Sequence, residues 1–233
     1  LKNEEIELYC VPSIGTSREH SRFNNLPTVT YSFKRDSKQF QRVVADKLVI
    51  EKIKPANTES FTRSLELSEG ERYYFRDARN EPYHYVFKLT SNHYYPSEIV
   101  FVQATELLIG RFMDIVDNLR KIISKPDESR FSIERLKRDT TFKIVMSRED
   151  DTTGNMIQAH AVNHHLNSKS YIELIGYKKP HPLTDLIFMN IMVKPNSYSE
   201  DQKKTEIIQF LITVVDDIIE ILKKIGNKAK TTL

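Results

Sequence analysis

The residues of this chain best equipped for chemistry crowd into one stretch. Residues 150–165 read DDTTGNMIQAHAVNHH, with Glu149 just before them. Two chemistries are conceivable. His160 and His164 are four apart and share one helical face, a spacing at which two imidazoles can grip one metal ion. A metal site needs a third or fourth ligand, however. The HExxH pattern is missing, and His165 is expected to point elsewhere. Glu149, Asp150 and Asp151 could supply paired carboxylates for general acid–base work. They precede a helix start near Thr153, where carboxylates answer the helix dipole and its orphan N–H groups, and this is the preferred reading. Thr152 or Thr153 is the expected cap. Gly154 has neither GxxxxGK nor GxGxxG around it, and no GxSxG marks a nucleophile. The expectation is no catalytic group, no cofactor and no metal.

Elements must position this stretch, and the rest of the chain supplies them. The chain has 233 residues, enough for one large domain or two small ones. Its 35 basic and 32 acidic residues give a formal charge of +3, far from the strong basic footprint of a dedicated nucleic-acid binder. One cysteine, Cys10, excludes an internal disulfide and any multi-cysteine metal cluster, and implies a reducing compartment. No apolar run is long enough to span a bilayer, and no membrane partner is expected. The first residue is Leu1, so the chain is expected to be a processed or partial piece of something longer.

Along the chain, EEIELYCV alternates Ile6, Leu8 and Cys10 against polar neighbours, a half-buried strand pattern. Residues 12–27 read as a long exposed loop, and TVTYSFKR resumes the strand period. Residues 36–80 are mixed, with KLVIEKI and RYYF as short strands. Tyr83, Tyr85, Phe87 and Leu89 alternate as an aromatic-rich strand. Ser97 then caps a helix whose Val102, Ile109, Val116 and Ile123 recur every seven residues, with Thr105, Phe112 and Leu119 in the same stripe. Residues 124–138 read as a linker. TTFKIVMS is a strand, a helix follows from about Thr153 to His165, and SYIELIGYKKPHPL and DLIFMNIMVKP hold two more strands. The last helix carries Ile208, Leu211, Val215, Ile218, Leu222 and Ile225 at spacings of three and four, and Gly226 is its expected stop. Each half ends in strand, turn and a long helix with one apolar seam. Such a seam is worth about 10 kcal/mol gross and must be covered. The expected fold is α+β, two tandem pseudo-symmetric units of antiparallel sheet plus long helices, whose seams meet.

Three stretches resemble one family. Residues 139–193 are similar to the small assembly subunit of multisubunit RNA polymerases: the eleventh subunit of the eukaryotic nuclear enzyme, called L in archaea. The matching residues are Glu149, Asp150, Thr152, Gly154, Asn155, Gly176, Tyr177, His181 and Pro182. Asp151 stands where the family has His, Thr153 where it has Leu, and Gln158 where it usually has Arg. GTSREHSRF resembles a loop of the larger partner, the third subunit of the nuclear enzyme, called D in archaea, at Gly15, Arg18, Glu19, His20, Arg22 and Phe23. YHYVFKLTSNHYYPSEIVFVQATELLIGRF resembles that partner's last strand and dimerisation helix.

The resemblance implies a fused pair of the bacterial alpha-like dimerisation type. Residues 1–123 would be the third-subunit-like part, lacking its N-terminal portion, 124–138 the linker and 139–233 the eleventh-subunit-like part. It implies a dimer core of Val102, Ile109, Phe112, Val116, Leu119, Met156, Ile157, Ile208, Leu211, Val215, Ile218 and Leu222, with Ala161 beside it. It further implies docking of two large catalytic subunits, through the Gly15–Phe23 loop among other surfaces, and small polymerase subunits as further partners. No sequence-specific DNA contact is implied, and the chain is no enzyme by itself. A large DNA virus is the implied origin, with location in host cytoplasm and virion, or in the nucleus if the origin is cellular. The alternative is a free-standing single-stranded nucleic-acid-binding protein using Tyr73, Tyr74, Phe75, Tyr94 and Tyr95 with Lys223, Lys224, Lys228 and Lys230.

Overall fold

The computed structural model describes residues 4–92, 95–136, 140–166, 170–195 and 197–231. Tyr94 and Asp139 lie outside them. The chain divides into two compact units, Leu1–Ser97 and Glu98–Leu233. Among the described residues no helix is long and apolar enough to cross a membrane.

The first unit pairs β1 (Thr28–Phe33) with β2 (Tyr85–Thr90) in a two-stranded antiparallel sheet, Tyr31 opposite Phe87. Between these strands lie α1 (Ser37–Ile50) and α2 (Thr58–Glu69). Asp36 caps α1 by accepting from the amides of Lys38 and Gln39. Phe40 and Val44 on α1 then meet Leu65 on α2 in a small core, with Leu48, Phe61 and Tyr73 against it. KLVIEKI is therefore the end of a helix and the turn after it, not a strand. Phe40, Val44 and Leu48, spaced by four, outweigh the β-branched Val49 and Ile50. RYYF is no strand either; Tyr74 makes only an isolated bridge with Arg35. EEIELYCV also departs from expectation. It forms no strand, and Ile6, Leu8 and Cys10 are exposed, for among the described residues no strand pairs with it to cover one face.

The second unit is built on a four-stranded antiparallel sheet in the order β3 (Phe131–Arg135), β4 (Thr141–Ser147), β6 (Leu186–Val193), β5 (Ile172–Lys178). Alternation places Phe142, Ile144 and Met146 of β4 on one buried face, opposite Ile191, Met189 and Ile187 of β6. Three helices contribute to the core over that face: α3 (Ser97–Ser124), α4 (Asp151–His160) and α5 (Glu200–Lys230). Residues 131–135 lie inside the expected linker yet form the edge strand β3. Buried Asn118 of α3 anchors its start, accepting from the Arg130 amide at 3.1 Å, while Ser129 Oγ donates to the Asn118 carbonyl at 2.9 Å.

The α3 seam drifts from the seven-residue reading. Phe112, Val116 and Leu119 are buried as expected, but Ile115 and Ile122 join them and Ile123 is 49% exposed. A straight helix turns every 3.6 residues, so a strict heptad walks off the face. Gly226 does not stop α5, which runs on to Lys230. It is a packing position instead: a Cβ there would stand 3.3 Å from Thr105 Cγ2 of α3. Lys230 Nζ then reaches Glu106 at 2.6 Å.

Candidate functional site

At the α4 start, Asp150 is the cap, not Thr152 or Thr153. Its Oδ1 accepts from the amides of Thr152 at 3.0 Å and Thr153 at 3.4 Å. Thr153 serves differently, its hydroxyl donating to Glu149 Oε2 at 3.0 Å. Arg148, with φ of 63°, turns the chain out of β4 just before Glu149. Glu149 is then fully buried and gripped by two arginines: Arg111 Nε of α3 at 3.0 Å and Arg130 Nη2, just before β3, at 2.8 Å. Arg111 also reaches Asp150 at 3.2 Å, and Arg130 pairs with Asp114. Burial pushes the Asp150 carboxyl up, but the Arg111 charge, its hydrogen bond and the two capping amides outweigh that and hold it below the usual Asp value. Glu149 and Asp150 thus make a clamp joining α3, β3 and α4, while Asp151 is exposed and lies 3.7 Å from Lys179. Sequence reasoning misses the clamp because Arg111 lies 38 residues from Glu149 and Arg130 lies 19 away.

Gly154 is buried beneath the Tyr177 ring of β5: a Cβ there would stand 2.6 Å from Tyr177 Cδ2 and 3.0 Å from Ile187 Cδ1. Gln158 Oε1 accepts from the Tyr177 amide at 2.9 Å, beside Gly176. Gly154, Gln158, Gly176 and Tyr177 therefore make one α4–β5 contact. Thr152, Asn155, His181 and Pro182 are exposed, the last two in the β5–β6 turn, where His181 Nδ1 accepts from the Leu183 amide.

Of the expected dimer-core residues, Phe112, Val116, Leu119, Ile157, Ile208, Leu211, Val215, Ile218 and Leu222 lie in one buried cluster, and Ile109 and Met156 pack against it partly exposed. Ala161 is also in that cluster. Val102 is buried nearer the start of α3.

The Gly15–Phe23 loop is exposed but locally ordered. Thr16 donates from both amide and hydroxyl to Glu19, His20 Nδ1 accepts from the Arg22 amide, and the Arg22 guanidinium lies 4.6 Å from the Phe23 ring centre. The Phe23 ring occupies the space a Cβ on Gly15 would need. The hydrogen bonds from Thr16 hold the Glu19 carboxyl below its usual value. Arg18 is exposed in the same turn.

The aromatics assigned to base stacking pack within their own unit. Tyr73 lies 5.7 Å from Phe40 and donates to Glu69, Tyr74 lies 4.7 Å from Phe33, and Phe75 stacks on His84. Tyr95 is half exposed. The four lysines sit on α5, in the other unit.

The histidines differ most from expectation. After His160 the helix widens into a π-turn over Ala161–His165, closed by the Leu166 amide donating to the Ala161 carbonyl at 3.0 Å. In a regular α-helix two positions five apart point about 140° away from each other. The wider turn instead brings His165 beside His160, with ring centres 5.4 Å apart, and His164 is 4.6 Å from His160. Both His160 and His165 face Asp217 of α5, their Nε2 atoms 3.9 and 3.0 Å from its Oδ2. Burial and the neighbouring His164 and His165 lower the His160 pKa, against the pull of Asp217.

No curated protein matches the chain. Residues 141–228 match the family model of the RNA polymerase Rpb3/Rpb11 dimerisation domain, a span running from β4 through α4, β5 and β6 into the last turns of α5.

Proposed function

We propose that the chain is a non-catalytic assembly subunit of a multisubunit DNA-directed RNA polymerase. In this reading α3 plays the third-subunit-like helix and residues 139–233 the eleventh-subunit-like domain, fused as an internal, pseudo-symmetric dimer. The exposed surfaces then dock the two large catalytic subunits. The observation that carries it is that α3, outside the matched span, buries Phe112, Ile115 and Leu119 in the same core as Leu211 and Val215 inside it. Two helices from different halves sharing one core is what a fused dimer requires. A viral origin, with transcription in host cytoplasm and packaging in the virion, belongs to the same proposal; a cellular origin would place the chain in the nucleus.

The test is co-purification of the tagged full-length chain from the system that encodes it, with partners identified by mass. The two largest polymerase subunits are expected. Leu211 and Ile218 are core residues, so charged replacements there would unfold the unit. The informative variant is the exposed loop pair Glu19→Ala with Arg22→Glu, which is expected to weaken recovery of a large subunit while circular dichroism stays unchanged. A folded parent chain that recovers neither large subunit overturns the proposal.

A further inference from the structure

We propose that His160, His165 and Asp217 form a binding site for a divalent transition-metal ion of the zinc type, stapling the π-turn after α4 to α5.

Three observations carry it. The first is convergence: one ligand atom from each residue lies within 4.8 Å of the other two. A tetrahedral ion with bonds near 2.0–2.2 Å holds its ligand atoms about 3.3–3.6 Å apart. The 3.0 and 3.9 Å separations from Asp217 Oδ2 bracket that spacing, and the two imidazoles, whose ligand atoms lie within 4.8 Å of each other, must turn toward Asp217 to complete the set. The second is the state of the imidazoles. Both Nε2 atoms are buried and neither meets full hydrogen-bond geometry; what each faces is Asp217 Oδ2, 3.9 Å from His160 and 3.0 Å from His165. Buried polar atoms normally find well-aligned partners, and two ring nitrogens that share one carboxylate without good hydrogen-bond geometry are a ligand set a cation would satisfy. The third is backbone geometry. The π-turn costs helix regularity and has the effect of placing two imidazoles five apart on one side, where Phe210 packs edge-on against the His165 ring. Irregular turns of this kind often sit at functional positions.

Two imidazoles and one carboxylate leave a coordination position for water. A cavity of about 250 Å³ lined by His160, His164, Asp217, Glu220, Ile221 and Lys224 adjoins the cluster and gives an ion its route in. The site lies inside the segment matching the dimerisation domain, but the inference does not rest on the polymerase reading.

The test uses the tag-free full-length chain, stripped of metal by a chelator. Calorimetric titration with ZnCl2 is expected to show one ion per chain, and Co2+ to give the intense visible bands of a tetrahedral site. Loss of a supporting contact alone costs 10–100-fold in affinity, so His165→Gln and Asp217→Asn, which each remove a ligand, should cost more than about 100-fold. The parent and both variants should share one circular dichroism spectrum. His84→Gln, in the other unit, should leave binding unchanged. If a variant fails to fold, imidazole nitrogen NMR on the parent decides: Zn2+ should shift His160 and His165 Nε2. No Zn2+ binding by the parent, binding that survives both substitutions, or unshifted His160 and His165 resonances would overturn the proposal.

Discussion

Replacing Glu149 with glutamine removes one negative charge from beneath three elements and keeps the side chain's shape. Breaking a buried ion pair by deleting one partner costs about 3–5 kcal/mol, most of it from stranding the other charge. Here that figure shrinks. The Arg111 and Arg130 side chains are 31% and 26% exposed, and each keeps a second carboxylate, Asp150 and Asp114 respectively. Glutamine can still accept from Thr153 through its amide oxygen. The expected loss is therefore about 2–3 kcal/mol. At about 3–4 °C per kcal/mol for a unit of this size, the midpoint should fall by roughly 6–12 °C. Urea denaturation followed by far-ultraviolet circular dichroism measures it, and a cycle with Arg130→Gln isolates the pair. A coupling below about 0.5 kcal/mol, or a Glu149→Gln chain as stable as the parent, would refute the claim that this clamp holds α3, β3 and α4 together.

Two helical glycines should respond oppositely to alanine. Beyond its own helix backbone and chain neighbours, nothing among the described residues comes within 4 Å of where a Cβ on Gly110 of α3 would stand, so Gly110→Ala should stabilise by about 1 kcal/mol. Gly154→Ala gains the same propensity but drives a methyl into the Tyr177 ring, and overpacking of about 1–3 kcal/mol should make it neutral to destabilising; thermal melts of the pair, with Tyr177→Ala as the rescue, check the sign. The Asp150 carboxyl titrates below its ordinary value of 3.8, so its ionised form is bound more tightly in the folded chain. Its contribution should be complete above that ordinary value and vanish as pH falls through the depressed one. Asp150→Asn keeps a good cap and loses the charge, so the parent's advantage over it should disappear at the acid end of a pH series of melts. An advantage that does not change with pH would show that the charge contributes nothing.

The parts of the fold legible in the sequence are those in which one-sided burial writes a period. β4 and β6 alternate buried and half-buried residues without a break, and α5 repeats its apolar positions over 31 residues. The features that escape depend on contacts the chain does not spell locally. The helices α1 and α2 bury few residues, so the β-branched pair Val49 and Ile50 at the end of α1 misleads. The Asp36 cap and the spacing of Phe40, Val44 and Leu48 are the signal available. At the site, the Glu149 clamp needs partners far along the chain. Regular helical geometry sends His165 elsewhere, and no residue pattern announces the π-turn that brings it back. Gly226 has the residue type of a stop, while its use is to let Thr105 come close.

The border of the family match and the border of the folded unit do not coincide, for the match begins at residue 141 and the unit at Glu98. A gene fragment cut at the first border would encode a sheet and two helices with a greasy trough where Phe112, Ile115 and Leu119 belong. Soluble expression of this domain therefore calls for the earlier boundary. The covalent join upstream does more than tether: it delivers the third rafter of the roof above the strands.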